Sequence, residues 1–188
     1  EYFIIDGGST DNTVDIIKKY EDKITYWVSE PDKGQTDAIN KGLQKASGDI
    51  VTWLNSDDYY FKDVLGYIAE LYVTNKWDNI VFGNAVFVDE KGQYLSKMEP
   101  IIFSKEKGDV LKQKVRLPQP ASFFTSKMYE KHGLDDTLHY AMDMDFWLCM
   151  AFARDEMFSF NKDIVHFRQH SKAKSNNGNL PFALDFEK

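Results

Sequence analysis

The sequence predicts a mixed α/β domain: a mainly parallel sheet with helices on both faces, and a more antiparallel C-terminal half. Three observations predict it. Strand and helix signals alternate through the first half, the pattern of parallel strands joined by covering helices. In the second half two apolar runs flank DEKG, a hairpin signal. The 188 residues, 43% apolar and 28% charged, suffice for one core and fall short of two.

Residues 2–5 form a short apolar run, followed by DGGSTDN, which is dense in turn and capping residues. Val14, Ile17 and Tyr20 then keep helical spacing, with Ile16 widening the stripe. Residues 24–28 read as a second strand and EPDKG as a loop. Residues 35–45 read as a helix with Ala38, Ile39, Gly42 and Leu43 on one face, and 50–54 as a third strand ending in NSDD. Beyond these, 80–88 and 94–98 make the hairpin, 121–125 a strand, and 127–132 a short helix closed by Gly133. Residues 142–153 are a helix, and 157–160 and 165–168 two late strands. The tail SNNGNLPFALDFEK, polar and then aromatic, shows no element.

The net charge of −7 argues against a nucleic-acid partner, which needs a broad basic footprint. Basic residues concentrate locally in HFRQHSKAK. No apolar run approaches the roughly 20 residues of a membrane span. The single cysteine, Cys149, excludes an internal disulfide and a cysteine zinc cluster. It reads as a buried, inert thiol in a reducing cytoplasm.

Ligands of open parallel sheets bind beyond the carboxyl ends of the strands. Three polar clusters fall at such ends: residues 6–11, 30–35 and 55–58. Adjacent carboxylates in LNSDD repel each other unless a cation lies between them. Hard oxygen ligands without a His pair or Cys favour Mg²⁺ or Mn²⁺. The alternative is an Asp-rich turn capping a helix. DGGSTDN lacks the lysine and spacing of a phosphate-binding P-loop and reads as a turn and N-cap. On the late strand His166, Arg168 and His170 share one face by alternation, facing either a diphosphate or solvent. The helical wheel leaves Asp143 and Asp145 on opposite flanks of the stripe Met142, Phe146, Cys149, Met150, Ala153, and does not choose between them.

YFIIDGGSTDNT, SEPDKGQTDAINKGLQKASGDIVTWLNSDD and HYAMDMDFWLCMA, in this order, resemble the successive motifs of family-2 glycosyltransferases with the GT-A fold. The resemblance spans residues 2–170. It implies that Asp6 bonds the nucleotide base with Asp11 supporting the loop, and that Asp37 and Asn40 flank the nucleotide. Asp57 and Asp58 match the acidic motif that holds Mn²⁺ or Mg²⁺ on the donor diphosphate, with Asp57 also a donor contact. Arg168 and His170 match the closing basic segment, and Asp143 the catalytic base. Three positions depart from the pattern: Asn55 for an Asp, Ile39 for an Arg, and Met142 for a Glu. The family's opening strand is missing before Glu1, so the chain is expected to be weakly active and to self-associate through the edge of residues 2–5.

The implied activity is inverting transfer of a sugar from a nucleotide-sugar donor to the hydroxyl of a glycan or lipid-linked acceptor in cell-surface polysaccharide synthesis. One domain, 1–188, would divide into a nucleotide-sugar half, 1–98, and an acceptor-side half, 99–188. It would work in the cytoplasm, with peripheral contact at the inner face of the membrane. A non-catalytic nucleotide-sugar-binding domain and a sugar-nucleotide pyrophosphorylase remain as rivals. A haloacid-dehalogenase-like phosphatase does not, because Gly8 stands where it needs a second Asp.

Overall fold

A computed structural model describes residues 1–171, 173 and 174. The tail beyond lies outside the described residues. The first strand β1 (Phe3–Asp6) is followed by helix α1 (Thr13–Lys19). Asp11 accepts from the backbone N and the hydroxyl of Thr13, at 2.9 and 2.6 Å, and so ties down the start of α1. Asp15 in its first turn and Lys18 and Lys19 in its last complement the helix dipole. Strand β2 (Tyr26–Ser29) pairs in parallel with β1, and α2 (Gln35–Leu43) packs against them. A Cβ on Gly42 would stand 3.4 Å from Ile5 Cγ1, an ordinary contact that shows how closely α2 approaches β1.

The larger sheet has six strands: β3 (Ile50–Val51), β4 (Tyr59–Tyr60), β5 (Ile80–Val88), β6 (Tyr94–Met98), β7 (Ser122–Thr125) and β8 (Met157–Arg168). They run in the order β3-β7-β5-β8-β4, with β6 pairing β5. Only β5–β8 is parallel here. The mixed α/β class and helix-covered sheet are those expected, but antiparallel pairing is more extensive than strand–helix alternation predicts. The cause is that β3 pairs not with β1 but with the late strand β7. Residues on either side of position 98 therefore share one sheet.

Because β5 is central, its alternate residues feed two cores. Ile80 and Phe82 pack with Leu43 of α2, Met128 of α4 (Ser126–His132), and Phe146 and Met150 of α5 (Met142–Phe152). Val81 and Ala85 pack on the opposite face with Val64 and Ile68 of α3 (Val64–Asn75). Helix α3 was not anticipated, although Val64, Ile68, Leu71 and Tyr72 keep helical spacing. Gly66 in its first turn and the strained Asp63 at its start weaken the local helix signal. The two late strands are one, β8, whose register slips where Phe82 pairs Ser159 and Asn84 pairs Asp163. Gly83 permits that bulge: a Cβ there would lie 2.2 Å from Ile164 Cγ1. The third strand is shorter than expected, two residues rather than five.

Cys149 is exposed, contrary to expectation. The buried residues of α5 are Met142, Phe146, Trp147, Met150 and Ala151. Trp147 buries far more apolar surface than a thiol, so the helix is rolled to place it inside. At about 100° per residue, that roll centres the buried arc close to Asp143 and leaves Asp145 outside it.

Candidate active site

Several loops gather beyond the carboxyl ends of β1, β2 and β3. The loop after β1 is organised by Asp6, which is buried. Its carboxylate accepts from Ser29 Oγ at 2.6 Å, from the backbone of Gly8 and Ser9 at 3.2 and 2.9 Å, and from the Ser9 hydroxyl. These donors, led by Ser29, hold the carboxyl below the usual range. Asp6 is thus engaged inside its own loop, and contact with a nucleotide base would require some of those bonds to exchange. Asp11 is occupied by Thr13.

The loop after β2 lies against the first. A Cβ on Gly7 would sit 2.5 Å from Asp32 Oδ2, so a larger residue there would displace the Asp32 carboxylate. Asp32 in turn accepts from Gly34 N at 2.9 Å. Gly34 adopts φ +126°, and its α-carbon faces His139 so closely that a Cβ would meet Nδ1 at 3.1 Å. On α2, Asp37 accepts from Lys33 N at 3.1 Å and pairs with Lys41 at 3.4 Å. Asn40 donates to the Leu134 carbonyl at 2.9 Å and accepts from Tyr129 at 3.0 Å. Asn40 thereby tethers α2 to α4 and the loop after it.

Gln35 joins the pieces. Its amide donates to Asn55 Oδ1 at 2.7 Å, and its oxygen accepts from Lys174 Nζ at 2.9 Å. Lys174 also donates to the His139 carbonyl and stands 4.8 Å from the ring of Tyr140. The acidic motif, the start of α2 and the approach to α5 are tied in one network. Gln119 completes it, donating to the Trp53 carbonyl at 3.0 Å. Gln119 was missed because nothing in the sequence marks a lone glutamine between prolines; Lys174 lay in plain view within HFRQHSKAK.

The two aspartates of NSDD differ sharply. Asp57 is partly exposed, and its Oδ2 lies 3.0 Å from His170 Nε2. Asp58 is buried and accepts from Arg168 N at 2.9 Å through Oδ1, while Oδ2 is buried without a partner. Burial, with Asp57 adjacent, raises Asp58 to about 7. An orphaned buried carboxylate oxygen beside a carboxylate–imidazole pair is a donor set suited to a hard divalent cation. Among the described residues no group of three or more His, Cys, Asp or Glu side chains is placed to hold a metal ion. Arg168 caps Asp58 through its backbone, and its guanidinium stands 5.4 Å from the ring of Tyr59. His166 does not join His170: it stacks between Tyr59 and Phe61, with centroids 4.4 and 3.8 Å away. Strand β8 ends at Arg168, so the alternation that grouped the three stops there.

Asp143 opens α5, accepting from Met144 N at 2.7 Å, and burial raises it to about 6. The positive charge of Lys174 acts on it in the opposite sense. Asp145 is also raised by burial, and its backbone continues the helix onto Ala141. His132, without an expected role, pairs with Asp155 at 2.7 Å and braces the end of α4. An open hollow of about 420 Å³ adjoins His170, walled by Asp89, Glu90 and Lys91 of the β5–β6 turn, and by Gln169 and Ser171.

The chain belongs to glycosyl transferase family 2, whose pattern it matches over residues 1–134. It is 36% identical over 159 residues to an uncharacterized glycosyltransferase of Mycobacterium tuberculosis, covering 80% of this chain and 57% of that protein. It is 29% identical over 185 residues to one of Rickettsia typhi, covering 94% and 57%. The chain therefore spans little more than half the length of these relatives. In fold it is similar to S. aureus TarS 1–349 in complex with UDP, with TM-score 0.67 and 17% identity, over 90% of this chain and 51% of that one. It is also similar to glucosyl-3-phosphoglycerate synthase from Mycobacterium tuberculosis, with TM-score 0.59 and 16% identity, over 97% and 65%. Family membership sets aside the pyrophosphorylase reading. Among the described residues no helix is long and apolar enough to cross a membrane.

Proposed function

We propose that the chain is the catalytic part of a metal-dependent, inverting glycosyltransferase that moves a sugar from a nucleotide donor to an acceptor hydroxyl. The observation that carries this reading is the joining of NSDD to the Asp143 end of α5 through Gln35 and Lys174. One group suited to the donor diphosphate and one suited to proton removal are thereby held in a single framework.

Asp57 and Asp58 would hold Mn²⁺ or Mg²⁺, with His170 beside Asp57 and Arg168 N fixing Asp58. Bound there, the cation would offset charge on the departing nucleoside diphosphate. Asp6 and Asp11 shape the loop that receives the base, and Asp37 orders the turn into α2. Arg168 brings positive charge, and His170 hydrogen-bonding capacity, to the diphosphate side. Asp143 takes the proton from the acceptor hydroxyl as its oxygen attacks the anomeric carbon. A carboxyl raised to about 6 is ionised at neutral pH and is a stronger base than an ordinary aspartate. The acceptor, a glycan or lipid-linked sugar of cell-surface polysaccharide synthesis, would enter from the side of residues 99–188, with the work done on the cytoplasmic side.

Titration with UDP and GDP, with Mn²⁺ or with EDTA, tests the donor site. Nucleotide should bind at least tenfold more tightly with metal, and Asp57→Asn should abolish the difference while the fold persists. Equal affinity with and without metal would overturn the metal assignment.

A further inference from the structure

Residues 101–116 form a closed surface loop with two unlike sides. Its ends are joined by an isolated bridge, Ile101 N to Arg116 O at 2.8 Å and Arg116 N to Ile101 O at 2.9 Å. Inside, Gln113 replaces the missing ladder: its oxygen accepts from Ser104 N at 2.7 Å, and its amide donates to the carbonyls of Ser104 and Gly108. Ile102, Phe103, Val110 and Val115 turn inward against the core that includes Phe146 and Met150 of α5. Leu111 points the other way and is 71% exposed, the highest value among the exposed large apolar side chains. Lys107, Lys112, Lys114 and Arg116 are exposed with it.

A single exposed leucine is ordinary. Its setting is not. The loop holds five basic residues against Glu106 and Asp109, in a chain of net charge −7. Of the two acids, Asp109 is paired to Lys112 at 3.3 Å and also accepts from Leu111 N. The loop thus presents an apolar tip ringed by cations on an otherwise acidic molecule, and its internal bonds order it before any partner arrives. Nucleic acid would call for aromatic platforms or a longer basic track, neither of which the loop has. A leucine able to enter an interface, surrounded by lysines able to stay at phosphate level, matches a bilayer rich in anionic lipid.

We propose that residues 101–116 dock the protein peripherally on anionic membranes, with Leu111 inserted and Lys107, Lys112, Lys114 and Arg116 on the headgroup phosphates. The loop packs on α5, so docking brings the helix that carries Asp143 in its first turn to the bilayer. A lipid-borne acceptor would be met there, a step that rests on the functional reading above, whereas docking itself does not.

Co-sedimentation of the full chain with vesicles of phosphatidylcholine alone, and with about one third phosphatidylglycerol, tests this without any sugar-transfer readout. Binding is expected only to the anionic vesicles and should weaken sharply in 0.5 M salt. Each basic residue near the surface is worth about fivefold in partitioning, so Lys112→Glu with Lys114→Glu should lower binding about 20-fold or more. Leu111→Ser, a milder change that leaves the charges alone, should lower it several-fold. Lys18→Glu with Lys19→Glu, the same charge change on α1, should have much less effect. No binding to anionic vesicles, equal loss from the α1 pair, or retention on RNA without vesicle binding would each overturn the proposal. Vesicle binding that survives while nucleotide affinity ignores metal would overturn the metal assignment and leave this proposal standing.

Discussion

At the residue scale the decisive feature is Asp143, because burial pushes its stability and its activity in opposite directions with pH. Its ordinary value of 3.8 is raised to about 6. Below pH 3.8 the carboxyl is protonated in folded and unfolded chains alike, and its contribution to stability is whole. As pH rises through about 6, the folded protein must ionise a buried group, and that contribution is lost. Sugar transfer should rise over the same interval, since the ionised form is the base. Asp143→Asn should remove at least about 10²-fold of transfer while donor binding persists. Thermal melts from pH 4 to 8 should show the variant spared a loss on the order of 2 kcal/mol. If Asp145→Asn abolished transfer and Asp143→Asn did not, the two carboxylates would exchange roles. The sequence alone could not separate them, because the wheel was centred on Cys149; only the inward turn of Trp147 brings Asp143 into the buried arc. Asp58 offers a second test. Asn at that position keeps the acceptor for Arg168 N and removes the charge on a buried oxygen without a partner. Asp58→Asn should therefore melt higher than the parent in EDTA, and should lose more than it gains when Mn²⁺ and nucleotide are present.

Among the elements, β5 and β8 carry the architecture, and their slip at Gly83 is its most constrained point. Gly83→Ala would drive a methyl group into Ile164 Cγ1 at 2.2 Å and against the Lys162 carbonyl at 3.1 Å. Neither can retreat without disturbing the bulge, which is also held by Asn84 bonding Asn161 and Asp163, each at 3.0 Å. The substitution should cost about 3 kcal/mol, read as a lower denaturation midpoint with an unchanged slope. The strands themselves were legible because nine apolar-rich residues ending at DEKG have few other readings. The bulge was not, since two short runs on either side of NKD look like two strands until a partner strand spans both. Helix α3 is less legible: its stripe Val64, Ile68, Leu71 and Tyr72 is regular, but Gly66 lowers the local helix propensity. Pairing of β3 with β7 sets Ile50 opposite Thr125 and Val51 opposite Phe124, partners far apart in the chain, an arrangement no local pattern encodes.

For the molecule as a whole, the consequential feature is that β1 and β2 form a sheet of their own. No backbone ladder among the described residues connects them to the six-stranded sheet. The link runs through α2 and the segment after it: Gly42 lies on Ile5 and Ser47 donates to Glu1, while Leu43 packs into the core under β5. Family and fold class were readable from motif order, because the first two motifs mark strand ends and the third the start of α5, whereas this division into two sheets was not. In amide hydrogen exchange the division should appear as two populations. Amides of β5, fully enclosed, should exchange only through global unfolding, while those of Phe3–Asp6 and Tyr26–Ser29 should exchange through a cheaper, separate opening. A nucleotide lodged between the DGGST loop and NSDD would span both sheets, and the slow and fast populations should then merge toward a single protection level. The smaller sheet would thus behave as a jaw whose motion reports, site by site, whether the donor has been engaged.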